Sequence, residues 1–159
     1  MSFRTHLPGS SQPWMTVNSP LLPTMEELQP LLQEILESGW VSNQGEKAQA
    51  LEKSLADFLK TPEVLLITNA TLGLQLALRS LLPEGGEVIV PGYSFPATWS
   101  MLLDDPRYQA RFVDIGPDCC LNPEAVEAAI TPKTSAILGV HAYGLPCAHA
   151  QLQQIARKH

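Results

Sequence analysis

The sequence predicts an α/β fold with a mainly parallel sheet and flanking helices, and three observations lead there. Expected strands at 64–67, 88–90, 111–114 and 136–140 alternate with helical patterns near 71–82, 96–103, 123–129 and 149–158. Strands that alternate with helices at this spacing have crossovers long enough for parallel pairing. The first run, Val64-Leu65-Leu66-Ile67, is apolar throughout, as a strand covered on both faces would be. Small and hydroxylated residues follow it, where a helix would begin.

Composition narrows the class. A chain of 159 residues has the size of one domain and can bury a core. With 45% hydrophobic and only 16% charged residues, disorder is excluded for most of it. The net charge of −6 and the lack of a basic cluster argue against a nucleic-acid partner. The apolar runs are short and interrupted, so no membrane span is expected. The start, with Arg4, His6, Pro8, Pro13 and Pro20, lacks the apolar stretch of a signal peptide, and a cytoplasmic location is the expectation. Cys119, Cys120 and Cys147 have neither disulfide-framework nor zinc spacing, and the four histidines form no metal pattern.

Residues 1–23, rich in Pro and Ser, read as an extended arm, and residues 24–159 as the folded part. Thr24 and Glu27 have capping-box spacing for a helix whose apolar face is Leu28, Leu31, Leu32, Ile35 and Leu36, ended by Gly39. Pro30 sits awkwardly there and predicts a kink or a later start. After the loop at 39–45, a second helix carries Leu51, Leu55, Phe58 and Leu59 on one face. Farther on, Asn122 as cap and Pro123 in the first turn predict the start of the helix over 123–129.

Ligands of parallel sheets bind beyond the carboxyl ends of the strands. That rule selects the loops 68–73, 91–98 and 141–146, which hold Asn69 and Thr71, then Tyr93, Ser94 and Phe95, then His141 and Tyr143. The first is an anion site by design, because free N–H groups and the positive helix end point the same way. Blander roles compete: Thr71 as a cap, Phe95 as core, Trp40 as a loop anchor, His141 and Tyr143 as supporting residues, Asp114 as a turn tether. Glu84-Gly85-Gly86-Glu87 lies at the amino end of its strand and reads only as a turn.

Six segments, in order, resemble the DegT/StrS family of sugar aminotransferases, which use pyridoxal 5'-phosphate (PLP). They are Ser38-Gly39-Trp40-Val41-Ser42, Asn69-Ala70-Thr71-Leu72-Gly73-Leu74, residues 86–98 (GEVIVPGYSFPAT), Phe112-Val113-Asp114-Ile115, residues 127–134 (EAAITPKT) and Val140-His141-Ala142-Tyr143-Gly144. The resemblance implies the amino-terminal part of an aspartate aminotransferase-like large domain, with an incomplete sheet. It further implies that Asn69, Ala70 and Thr71 hold the cofactor phosphate and that Phe95 stacks on the pyridine ring. Trp40, His141 and Tyr143 fall near the substrate, in a site shared across a homodimer. The complete enzyme of such a family moves an amino group from an amino-acid donor, commonly glutamate, to a keto group on a nucleotide-linked sugar.

Departures from the family pattern bear on substrate identity. Asn69-Ala70 stands for the usual Ser-Gly, Cys147-Ala148-His149 for the usual Ala-Asp-Met, and the connection at 103–108 is longer than common. In the family, the Asp that pairs with the pyridinium nitrogen and the Lys that carries the cofactor come after the segment matching His159. No catalytic residue is therefore assigned, and these residues alone are expected not to transaminate. The alternative expectation is a non-catalytic protein of the same descent that binds a phosphorylated ligand or a protein partner.

Overall fold

The computed structural model describes residues 20–159. The expected arm at 1–23 lies outside them except for 20–23, which have no regular structure. The chain divides after Leu66 into two compact units.

The first unit contains helices α1 (Met25–Ser38) and α2 (Glu46–Leu59). The capping box forms as its spacing predicts. Thr24 Oγ1 accepts from the Glu27 N–H at 3.3 Å, and a Glu27 carboxylate oxygen accepts from the Thr24 N–H at 2.8 Å. Gly39 closes α1 in the left-handed conformation, φ +66°, its N–H bonded to Ile35 O at 3.1 Å. Pro30 lies inside α1 and does not delay its start. Both helices carry the expected apolar stripes, yet neither has a buried residue, and Leu36 and Phe58 are 75% and 81% exposed. Periodicity creates a face; only an opposing element buries it.

The second unit runs α3 (Ala70–Leu81), β1 (Gly86–Pro91), α4 (Ala97–Leu103), β2 (Tyr108–Val113), α5 (Pro123–Ala129), β3 (Thr134–Ile137), a 3₁₀ turn (Ala142–Gly144) and α6 (His149–Lys158). Both strand pairings are parallel, in the order β2-β1-β3, and helices pack on both faces of the sheet. The central strand is fully covered: Val88, Ile89 and Val90 have no exposed surface. Ile89 packs with Val113, Val126, Leu152 and Ile155 on the α5–α6 side. Val88 and Val90 pack with Leu78, Met101, Leu102 and Tyr108 on the α3–α4 side.

One expected strand is absent. Residues 64–67 are not paired with any strand among the described residues, and Leu65 and Ile67 are 68% and 42% exposed. An apolar run supplies β potential, but a strand exists only where its N–H and C=O groups meet a neighbour. The fourth expected strand is shorter than the reading 136–140, ending at Ile137, although the Leu138 N–H still donates to Ile89 O at 2.8 Å.

Helix α5 starts where its cap predicts. Asn122 Oδ1 accepts from the N–H groups of Glu124 and Ala125 at 2.9 and 3.3 Å, and the helix delivers Val126 into the core. Asn122→Ala is expected to destabilise the fold by about 1 kcal/mol, read as a lower urea midpoint at unchanged slope.

Candidate functional site

Strands β1 and β3 are neighbours, so the loops that leave their carboxyl ends lie side by side. Between them is an open groove of about 520 Å³, lined by Tyr93, Phe95 and Thr98 from one loop and His141 and Tyr143 from the other. That volume falls in the roughly 300–1,000 Å³ range of small-molecule sites. Phe95 is 76% exposed, so its ring is not core packing. It presents a bare aromatic face on which a planar ring can stack.

The loop carrying Phe95 is held locally. Ser94 Oγ and Thr98 Oγ1 are 2.8 Å apart, and the Thr98 N–H donates to Phe95 O at 2.9 Å. On the opposite loop, His141 Nδ1 accepts the Cys147 N–H at 3.0 Å. An Nδ1 that accepts leaves the neutral ring's hydrogen on Nε2, so His141 offers a donor on its other edge. Tyr143 and Tyr93 meet through their hydroxyls. That hydrogen bond raises the Tyr93 phenol pKa above its ordinary value, with the nearby Tyr143 charge and burial adding to it.

The turn before α3 has the form the sequence predicts for an anion site. Asn69 is the N-cap, its Oδ1 accepting the Leu72 N–H at 3.0 Å. The N–H groups of Ala70 and Thr71 stand ahead of the first intrahelical bond and have no acceptor among the described residues. With the half-buried Thr71 hydroxyl they form a small cluster of donors at the positive end of a twelve-residue helix. Nothing in this donor set opposes a phosphate.

Not every candidate joins the groove. Phe95, His141 and Tyr143 line it together, and the 68–73 turn lies outside that lining, at the start of α3. Trp40 belongs to the first unit, where its indole N–H donates to Asn43 O at 3.0 Å and pins its own loop.

Two polar assemblies at the amino end of the sheet were not foreseen. Glu87 is 8% exposed and joins Arg111, Thr131 and Thr134, where the sequence suggested a plain turn. The long 103–108 connection is closed by Asp105, whose carboxylate accepts from Arg107 Nε and Nη2 at 3.0 and 2.7 Å. Hydrogen bonds from the Arg107 side chain hold the Asp105 carboxyl at about 2, with its backbone N–H and charge and the Arg79 charge helping. The i, i+2 spacing of Asp105 and Arg107 was the available signal.

A parallel sheet with an aromatic groove of small-molecule size where the loops leave β1 and β3 defines the class as an α/β domain. The chain belongs to the DegT/DnrJ/EryC1/StrS aminotransferase family, whose pattern it matches over residues 24–159. It is 42% identical over 141 residues to the dTDP-4-amino-4,6-dideoxy-D-glucose transaminase of Escherichia coli, covering 88% of this chain and 38% of the relative. Among solved structures it is similar to DesI in the presence of its TDP-sugar product, with 38% identity and a TM-score of 0.78 over 86% of this chain and 34% of that one. It is equally similar in fold to the PLP form of the sugar aminotransferase Spr1654 from Streptococcus pneumoniae, at 33% identity and a TM-score of 0.78 over 88% and 36% of the two chains. The chain thus spans less than two fifths of the length of these relatives.

Proposed function

We propose that these residues are the cofactor-receiving, amino-terminal part of a PLP-dependent aminotransferase acting on a nucleotide-linked keto-sugar, in amino-sugar biosynthesis. The observation that supports the reading is an open helix start at Ala70 and Thr71, on the helix that precedes β1, together with the exposed Phe95 ring in the loop that leaves β1. In this reading, the Ala70 and Thr71 N–H groups and the Thr71 hydroxyl bind the phosphate, with Asn69 holding the helix start. Phe95 orients the ring by stacking, and His141 and Tyr143 border the place where substrate approaches. Bound PLP supplies an electron sink for bonds to the amino-bearing carbon. The carboxylate facing its ring nitrogen and the lysine that carries it come from family segments beyond these residues. The working protein is a cytoplasmic homodimer that takes its amino group from an amino acid, with the Trp40 loop near the shared site. The relatives' sugar-nucleotide names support the substrate class.

Calorimetric titration with pyridoxamine phosphate tests this. Saturable binding is expected, weakened about tenfold by Thr71→Ala, the worth of one hydrogen bond to a charged group. No binding at millimolar concentration would overturn the cofactor reading.

A further inference from the structure

Tyr93 and Tyr143 are the one hydrogen-bonded link, among the described residues, between the 91–98 and 141–146 loops. We propose that this hydroxyl contact is a positioning clasp that ties the Phe95 loop to the His141 loop and so sets the width of the groove in which a planar, phosphate-bearing ring lies. The ligand class rests on the cofactor reading above; the clasp itself rests on the geometry.

Three features distinguish the pair from incidental packing. The rings are 51% and 79% exposed, with centroids 6.4 Å apart and tilted by 44°, so hydrophobic burial is not what brings them together. Tyr143 adopts a left-handed backbone, φ +52° and ψ +29°. For a bulky aromatic that conformation costs roughly 1–2 kcal/mol and persists where surrounding contacts hold it, most often at functional sites. The Leu145 N–H to Ala142 O bond, 2.8 Å, closes the turn that puts Tyr143 there.

Each tyrosine is also rigidly joined to a groove residue two positions away. Beyond Tyr93 the chain passes Ser94, bonded to Thr98, and reaches Phe95, whose carbonyl accepts the Thr98 N–H. Before Tyr143 stands His141, fixed by the Cys147 N–H. A contact between the two hydroxyls therefore transmits to the ring platform on one side and to the His141 donor edge on the other. Tyr93 and Tyr143 act through these neighbours.

The test compares Tyr93→Phe, Tyr143→Phe and the double variant, which keep both exposed rings and remove only hydroxyls. Two readouts are taken: pyridoxamine phosphate affinity, and amide hydrogen exchange over residues 92–98. Each single variant is expected to weaken binding about three- to tenfold, the worth of one hydrogen bond, and to speed exchange in that loop. The double variant is expected to be no worse than either single one, because both remove the same bond. Additive effects, or unchanged exchange in both single variants, would overturn the clasp. If the unaltered protein fails to bind pyridoxamine phosphate, the cofactor reading falls, and exchange coupling alone decides the clasp.

Discussion

Gly85→Ala is expected to destabilise the second unit by about 3 kcal/mol or more, read as a large drop in the urea midpoint. Gly85 has φ +86°, a conformation that L side chains rarely adopt, and an added Cβ would stand 2.1 Å from the Arg107 carbonyl oxygen. That oxygen is not free to retreat. It accepts the Gly86 N–H at 2.9 Å, beside the Gly86–Tyr108 pair that opens the β1–β2 ladder. Alanine must therefore strain its own backbone and also break the first rung of the central pairing. Gly144 is the control: it has a similar φ of +82°, but nothing lies within 4 Å of its added Cβ. There the expected loss is only about 1 kcal/mol, the conformational cost alone.

Glu87→Ala is expected to cost about 2–4 kcal/mol, because it removes the carboxylate that accepts both threonine hydroxyls and pairs with Arg111. One carboxylate oxygen accepts the Thr131 and Thr134 hydroxyls, both at 2.8 Å, and the other accepts Arg111 Nη1 at 3.2 Å. Thr131 stands in the turn between α5 and β3, Thr134 opens β3 and Arg111 lies on β2, so one side chain on β1 links all three strands. Glu87→Gln keeps an acceptor but loses the charge, and its cost should be about half.

The same carboxylate sets a pH dependence. The Thr134 hydrogen bond, assisted by Thr131 and Arg111, holds the Glu87 carboxyl below its ordinary value despite the opposing effect of burial. A carboxyl lowered on folding contributes its stability in full above its unfolded value, and loses it as pH falls through the lowered one. The stability gap between the unaltered protein and Glu87→Gln should thus be constant near neutral pH and shrink below the usual carboxylate range. Urea titrations across that range measure it; a gap that widened in acid would reverse the assignment.

What could be read along the chain was what short-range chemistry controls. Thr24 and Asn122 were legible as caps because each bonds an N–H two or three residues away, whereas at α3 the cap is Asn69 and not the Thr71 that the sequence offered for that role. Gly39 was legible as a helix end for the same reason. Glu87 was not, since its partners lie 24, 44 and 47 residues farther along. Its place at the amino end of β1, next to two glycines, suggested a turn and nothing more.

The candidate site divides along the same line. Ordered motifs named Thr71, Phe95, His141 and Tyr143, but no spacing indicates that Tyr93 meets Tyr143 fifty residues away. The apolar run at 64–67 shows the converse: its pattern promised a strand, yet no strand pairs with it among the described residues, and the Leu66 N–H donates instead to the Glu52 carboxylate at 2.8 Å.

By itself, the sequence determined the α/β class, the helix limits and the family, because periodicity, caps and motif order are local or linear properties. Only the tertiary structure decided which runs become strands, which loops share a groove, and which carboxylates are held ionised. Those outcomes depend on pairing between distant residues, where a backbone or side-chain group finds its partner only after the sheet has formed.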